Sequence, residues 1–356
     1  MCTVTDSLCL LYAPTEGMER DACHAIDPTG FYIQHPPEPH LLDDFITPDD
    51  RLFQTIHMGA AVVDSVKWIL VVDGLVARPF ALSLNQLKQL PRKSVTAFHE
   101  CYGSPLKPPT NAVWRIGNVT WTGVPLCELL ALAKPLREAA YVWSDGLDHG
   151  TFGGVTADRY QKDLPMEKAL SAEVLVAYEM NGEPLSKERG GPVRLIVPGW
   201  FGTNMTKWLC RLSLRSKRAE GPYTTKFYNE IDPLDPDGKR TRPVWEVEVN
   251  SIITRPETGA ILHGTGVQVE GWAWCHEHVL KVLVSADAGV TWSEAKVKPR
   301  TNFEWQRWKV TLNLAPGGHK LMANAISESG QKQPLLGRRN HVHSVEIIVQ
   351  GDFSKQ

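Results

Sequence analysis

At 356 residues the chain is too long for one comfortable hydrophobic core, so two or three domains are expected. With 42% hydrophobic and 22% charged residues it is an ordinary folded protein, and a formal net charge of −2 excludes any broad attraction to nucleic acid or an anionic membrane. Seven scattered cysteines form no Cys-x-x-Cys, which excludes a zinc ribbon or a disulfide framework and favours a reducing compartment.

Residues 1–48 are punctuated by Pro28, Pro36, Pro37, Pro39 and Pro48 and read as an irregular segment wrapping over the surface of the next domain. No basic n-region precedes an apolar run and no window reaches the roughly 18 apolar residues of a membrane span, so an intracellular, cytoplasmic protein is expected. Ser354-Lys355-Gln356 lacks the leucine of a peroxisomal address. From Lys67 the reading turns to β, with Trp68-Ile69-Leu70-Val71-Val72 closed by Asp73-Gly74. Ser83 can cap a helix through Leu90, and a strand over Ser94–His99 delivers Cys101. Leu126, Leu129, Leu130 and Leu132 have helical spacing, and a strand runs from Ala140 to Trp143. Buried strands come next at 174–182 and 192–199, then a charged, proline-bearing linker at 217–243. After Val244, short alternating strands at 268–274, 279–285, 308–314, 318–326 and 342–349, with a turn at Asp287-Ala288-Gly289, predict a β-sandwich.

The chemistry concentrates at Cys101, where a strand breaks into a Gly/Pro-rich loop. A thiolate there can ligate a soft metal or act as a nucleophile with His99 as its base, and a buried, inert thiol is the plain alternative. Arg194 inside an apolar strand is unusual, because a buried guanidinium needs an anion. Cys275-His276-Glu277-His278 reads as a solvated hairpin tip rather than a metal cluster. His341 and His343 alternate on the last strand and face one side of the sandwich.

The order of motifs is informative. Glu100-Cys101-Tyr102-Gly103 is followed by Gly117-Asn118-Val119-x-Trp121-x-Gly123-Val124 and by Ala177-Tyr178-Glu179-Met180-Asn181-Gly182. Then come Gly191-Pro192-Val193-Arg194, Pro198-Gly199 and Gly202-Thr203-Asn204-Met205-Thr206-Lys207-Trp208-Leu209. With Val269-x-Gly271-Trp272-Ala273-Trp274 and Ser285-x-Asp287-x-Gly289-x-Thr291-Trp292, the chain resembles the sulfite oxidase family of molybdopterin oxidoreductases over about residues 50 to 350.

That resemblance implies an α+β fold: a mixed α/β molybdopterin domain at 49–243, then an immunoglobulin-like sandwich at 244–352 that forms a homodimer. It implies the molybdenum cofactor, with Cys101 as the metal ligand and Tyr228 beside the metal's open face. Phe53, Gln54, Thr55, Ile56, His57, Asp148, Arg189, Arg194, Met205, Thr206 and Lys207 match the residues that hold the pterin and its phosphate. It also implies two-electron oxo transfer to a small sulfur compound such as sulfite. The chain departs from the family at Thr55 and Ile56, usually Arg-Asn, at Arg189, usually histidine, at Ser104, usually asparagine, and near Leu106, where another arginine is common. Fewer cationic donors point to a less charged sulfur substrate, or to reduction of an oxyanion or S-oxide. A Cys101–His99 hydrolase and a non-catalytic binding protein are the alternatives outside the family. No cytochrome b5 module and no Cys-x-x-Cys-His is present, so a haem-free enzyme passing electrons to dioxygen or a redox protein is expected.

Overall fold

The computed structural model describes residues 24–104, 114–232 and 235–351. Expectations placed on Cys2, Cys9, Cys23, Leu106 and the last three residues lie outside them.

Two sheets build the first domain. In one, Gln161–Pro165, Tyr141–Gly146, Leu209–Arg215, Ile69–Gly74 and Phe80–Ser83 lie side by side in that order. The pair Leu209–Arg215 and Ile69–Gly74 is parallel and its neighbours are antiparallel. In the other, Glu183–Pro184, Leu175–Met180, Ile116–Pro125 and Lys93–Glu100 succeed one another, and Arg194–Ile196 also pairs with Leu175–Met180. Trp68, Leu70, Trp121, Val124, Leu195 and Leu212, from both sheets, share one apolar core. The expected helix after Ser83 runs over Leu84–Lys88. Ser83 accepts from Gln86 N while Gln86 bonds back to Ser83 N, so two of the amides left open at the helix start are satisfied.

The second domain is the expected sandwich. One sheet orders Asn250–Arg255, Gly266–Trp274, Gln306–Asn313 and Lys296–Val297; the other orders Ile261–His263, His343–Gln350, Gly317–Ser327, Val279–Ser285 and Ser293–Glu294. Alternate residues Leu321, Ala323 and Ala325 face its core. At the turn, Ala288 and Gly289 have φ of 58° and 94°, and the Asp287 carboxylate accepts from Val290 N and Thr291 N.

The family-like motifs have physical reasons. Asn118 donates to Phe45 O and accepts from Trp305 N, joining three segments of the chain. A Cβ at Gly123 would stand 2.2 Å from Val176 O, so only glycine lets these strands meet. Asn181 and Gly182, with φ of 53° and 87°, make the tight turn between Leu175–Met180 and Glu183–Pro184.

Three expectations change here. The described part of residues 1–48 is not uniformly irregular: His24–Ile26 pairs with Ala61–Val63, and Tyr32–Gln34 with Gln54–Ile56. Three-residue strands show no periodicity, so the sequence hides them. Residues 217–243 are not a plain linker, because they hold the helix Pro222–Thr225 and a hairpin of Asn229–Ile231 with Thr241–Pro243. The proposed hairpin tip at Cys275 is also revised: Cys275 is buried and its thiol donates to Val247 O, while Glu277 binds Ser329. Among the described residues no group of three or more metal-type side chains converges, and no helix is long and apolar enough to cross a membrane.

The domains meet through an aromatic seam of Phe98, Trp114, Phe201, Trp272, Trp274 and Trp305. Trp272 and Trp305 stack 4.6 Å apart at 7°, and their indoles donate to Leu42 O and Phe45 O of the N-terminal segment. Trp305→Ala should therefore cost about 3–5 kcal/mol, read as a lower denaturation midpoint at unchanged slope. A loss below about 1 kcal/mol would show that the seam contributes little.

Candidate cofactor site

The strand Lys93–Glu100 ends at the first domain's edge and hands Cys101 to a tight turn. Cys101 N donates to Arg115 O at 3.0 Å and Ser104 N to Cys101 O at 3.1 Å, which pins the turn while the thiol projects. Its Sγ is half-buried, 3.9 Å from Thr55 Oγ1, at one side of an open cavity. Phe53, Thr55 and His57 reach this cavity from alternate positions of one extended segment.

The opposite wall is basic. Arg194, buried at the start of its short strand, donates to Arg189 O and Met205 O and lies 4.9 Å over the Trp121 ring, while its Nε has no partner. Lys207 Nζ donates to Thr55 O at 2.7 Å. Burial, then the Arg194 charge, pushes Lys207 down from the ordinary lysine range; burial raises the neighbouring Asp148, against the pull of Lys207. Further buried atoms lack partners here: Gln54 Nε2, His99 Nδ1 and Asp148 Oδ1. With Arg194 Nε, four such atoms face one cavity, where the polar edge of a ligand would meet them.

Another part of the cavity is aromatic. Tyr228 OH lies 2.6 Å from His57 Nε2, and Tyr160 and Tyr223 pack against the same imidazole. Burial pushes the Tyr228 phenol up and His57 down to about 3. Both are neutral at ordinary pH. Tyr228 itself has φ of 57°, a strained conformation held by the hairpin after it, where Val244 N donates to its carbonyl.

Of the residues the sequence singled out, Cys101, Tyr228, Phe53, Gln54, Thr55, His57, Asp148, Arg189, Arg194, Met205 and Lys207 all line this cavity. Ile56 and Thr206 do not. Ile56 lines a neighbouring cavity, and the Thr206 hydroxyl bonds Ser144 Oγ at 2.8 Å beneath the wall. Arg189 lines it but spends its donors on Asp49, Leu52 and Phe53, so it braces the Phe53 segment. His99 is not a base for Cys101: it stacks on Phe53 with centroids 5.1 Å apart, and burial holds it well below the ordinary histidine range. Sequence reasoning missed His99 as a cavity wall, Tyr160, which donates to Thr203 O, and Arg115, which donates to Thr55 Oγ1 and Gly103 O. Alternation along the strand could have placed His99; nothing local signals the other two.

The donor set suits one class of group. A soft thiolate suits a thiophilic metal, buried cations suit a phosphate, and the orphaned amide, imidazole and carboxyl atoms suit the edge of a heterocycle. Molybdopterin joined to molybdenum has all three parts, and the residues fit it. Residues 57–223 match the model of an oxidoreductase molybdopterin-binding domain, and residues 241–349 that of a Mo-co oxidoreductase dimerisation domain. The structure of the sulfane dehydrogenase SoxCD from Paracoccus pantotrophus superposes with a TM-score of 0.77 and 30% identity, covering 90% of this chain and 85% of that one. The chain belongs to the sulfite oxidase family of molybdopterin oxidoreductases. Mitochondrial sulfite oxidase of Mus musculus is 32% identical over 85% of this chain, which spans 60% of that relative's length. Sulfite oxidase of Gallus gallus is 31% identical over 84% of this chain and 70% of its own.

The depressed His57 value sets a pH dependence. His57 stays neutral in the fold while the unfolded chain takes up its proton below pH 6.5, so its contribution is complete above that pH and drains away toward pH 3. Between about pH 6 and 4 the cofactor-free chain should lose about 1.4 kcal/mol per pH unit more than His57→Gln does. Denaturant titrations across pH check this, and parallel curves would refute the burial of a neutral imidazole.

Proposed function

We propose that this chain is a molybdenum-cofactor oxidoreductase that oxidises a small sulfur compound, with Cys101 as the protein's ligand to the metal. The observation that carries the reading is the Cys101 thiol sharing one cavity with buried Arg194 and half-buried Lys207. When bound, the cofactor supplies two-electron oxo transfer, chemistry that no side chain can perform.

The chain's own residues would then divide the work. Arg194 and Lys207 receive the phosphate, the first through its unpartnered Nε. Gln54 Nε2, His99 Nδ1 and Asp148 Oδ1 meet the polar edge of the pterin. Tyr228 keeps its proton, because burial and the Cys101 charge both oppose its loss, and so orients substrate as a hydrogen-bond donor. His57 holds that hydroxyl from behind at 2.6 Å. Tyr160, Tyr223 and Phe152 pack around His57 and limit the water there.

Thr55 favours a substrate less charged than sulfite. Where the family resemblance leads one to expect an arginine, its hydroxyl is neutral, and Arg115, which donates to Thr55 Oγ1 and Gly103 O, does not line the cavity. The two electrons pass to an acceptor outside the chain, dioxygen or a redox protein. The dimerisation-domain match at 241–349 supports a homodimer through the sandwich, and the domain limits are taken near residues 49, 243 and 352.

Chain expressed with cofactor synthesis should carry about one molybdenum per chain. Cys101→Ser should retain pterin and lose turnover by at least about 10³-fold, while Tyr228→Phe should lower kcat/KM by about 10–100-fold, as for loss of one positioned donor. Absence of metal, or full activity in Cys101→Ser, would overturn the assignment. Comparing dimethyl sulfide with sulfite checks the substrate. Sulfite turnover with KM on the order of 10 μM would remove the argument from Thr55.

A further inference from the structure

Arg339 belongs to the sandwich domain, in the loop before His343–Gln350, yet its guanidinium lies on the turn that presents Cys101. Its Nη1 donates to Glu100 Oε1 at 2.8 Å and to Ser104 O at 3.1 Å. Its plane covers Tyr102, 5.6 Å from the ring centroid, and Phe201 at 4.3 Å. Its Nη2 donates to Glu248 Oε2 at 3.3 Å, so its charge is answered on two sides.

One side chain thus touches residues 100, 102 and 104, which bracket Cys101 and Gly103. Glu100 is wholly buried and its second oxygen takes the Trp274 indole N–H at 2.7 Å, again from the sandwich domain. On the inner side Arg115 completes the grip. Its Nη2 donates to Gly103 O at 2.6 Å, its N to Ser104 Oγ at 2.8 Å, and its carbonyl accepts from Cys101 N. What remains unheld is the Cys101 thiol, aimed into the cavity.

We propose that Arg339 is a positioning residue: from the second domain it clamps the Glu100–Ser104 turn and thereby fixes the direction of the Cys101 thiol. This rests on Cys101 being the metal-binding thiolate of the proposed function. A metal–thiolate bond tolerates little angular error, and a ligand on a loose turn loses that geometry. A fork that bonds an oxygen on each side of the cysteine while stacking on the ring between them supplies rigidity that lysine's single point charge cannot. The sandwich is then part of the site as well as of the assembly.

The test uses the full-length chain purified without cofactor, alkylated with iodoacetamide and read by peptide mass spectrometry. In Arg339→Ala the Cys101 rate should rise at least about fivefold, while Cys210 and Cys275, buried in the cores of the two domains, keep wild-type rates. Arg339→Lys should rise about twofold, and it carries the same test where Arg339→Ala yields no folded chain. In cofactor-loaded chain the Arg339→Lys variant should shift the thiolate-to-metal absorption band at unchanged molybdenum content. A Cys101 rate equal to wild type, or one rising in step with Cys210 and Cys275, would overturn the clamp. Wild type that takes up no molybdenum, with Cys101 alone loosened in the variants, would instead remove the metal assignment and leave the clamp standing.

Discussion

The structure turns on uncompensated positive charge. Arg194 lies buried and Lys207 half-buried beside one cavity, and among the cavity's described residues the only buried carboxyl that could answer them is Asp148. Arg194 is met by carbonyl dipoles and the face of Trp121, a cation–π contact on the order of 1–2 kcal/mol. That is far less than the hydration a guanidinium gives up on burial. Burial and then Arg194 push Lys207 toward its neutral form, against the pull of Asp148. A multiply charged anion would restore both groups. A ligand held at a thousandfold excess over its Kd stabilises the fold by about 4 kcal/mol, comparable to much of a domain's net stability. The cavity is therefore best understood as half of an ion-paired core whose other half is the cofactor.

The thiol's end obeys the opposite rule. His57 and Tyr228 are neutral, bonded to each other and boxed by aromatic rings, and the nearest arginine, Arg115, faces oxygens of the turn. Charge is thus graded along one cavity: Arg194 lies where a phosphate must be anchored, Lys207 and Arg115 reach Thr55, and the donors His57 and Tyr228 are neutral. Anchoring requires a deep electrostatic well, whereas turnover requires that product leave, so a site that does both benefits from keeping the two apart.

Much of this was legible in the sequence, for reasons that differ by residue. Arg194 announced itself because a guanidinium within Val193–Val197 has no solvent to reach. Cys101 and the Phe53–His57 segment were legible through motifs in a fixed order, and their alternation separates Thr55 and His57 from Ile56. Ile56 and Thr206 fell away because a motif gives contiguous residues, whereas the fold turns single side chains among them away from the cavity. Arg115 and Tyr160 were invisible as site residues: their positions depend on which strands pair, and that is not encoded within a few residues of the side chain concerned. Arg339 lies more than two hundred residues beyond the turn it holds.

Tyr228 shows why the segment before the sandwich cannot be mere spacer. A tyrosine at φ of 57° costs about 1–3 kcal/mol and persists only where its surroundings fix it. Here Asn229 Nδ2 donates to Thr224 O and Phe227 O on one side, and Val244 N donates to Tyr228 O on the other. The hairpin of Asn229–Ile231 with Thr241–Pro243 ties these ends together. Charged and proline-rich composition suggests a tether, yet the same residues make a turn that aims one phenol at His57. Composition reports how well a segment is solvated; whether it is ordered depends on the hydrogen bonds it closes, and this one closes enough to hold a strained residue at the site.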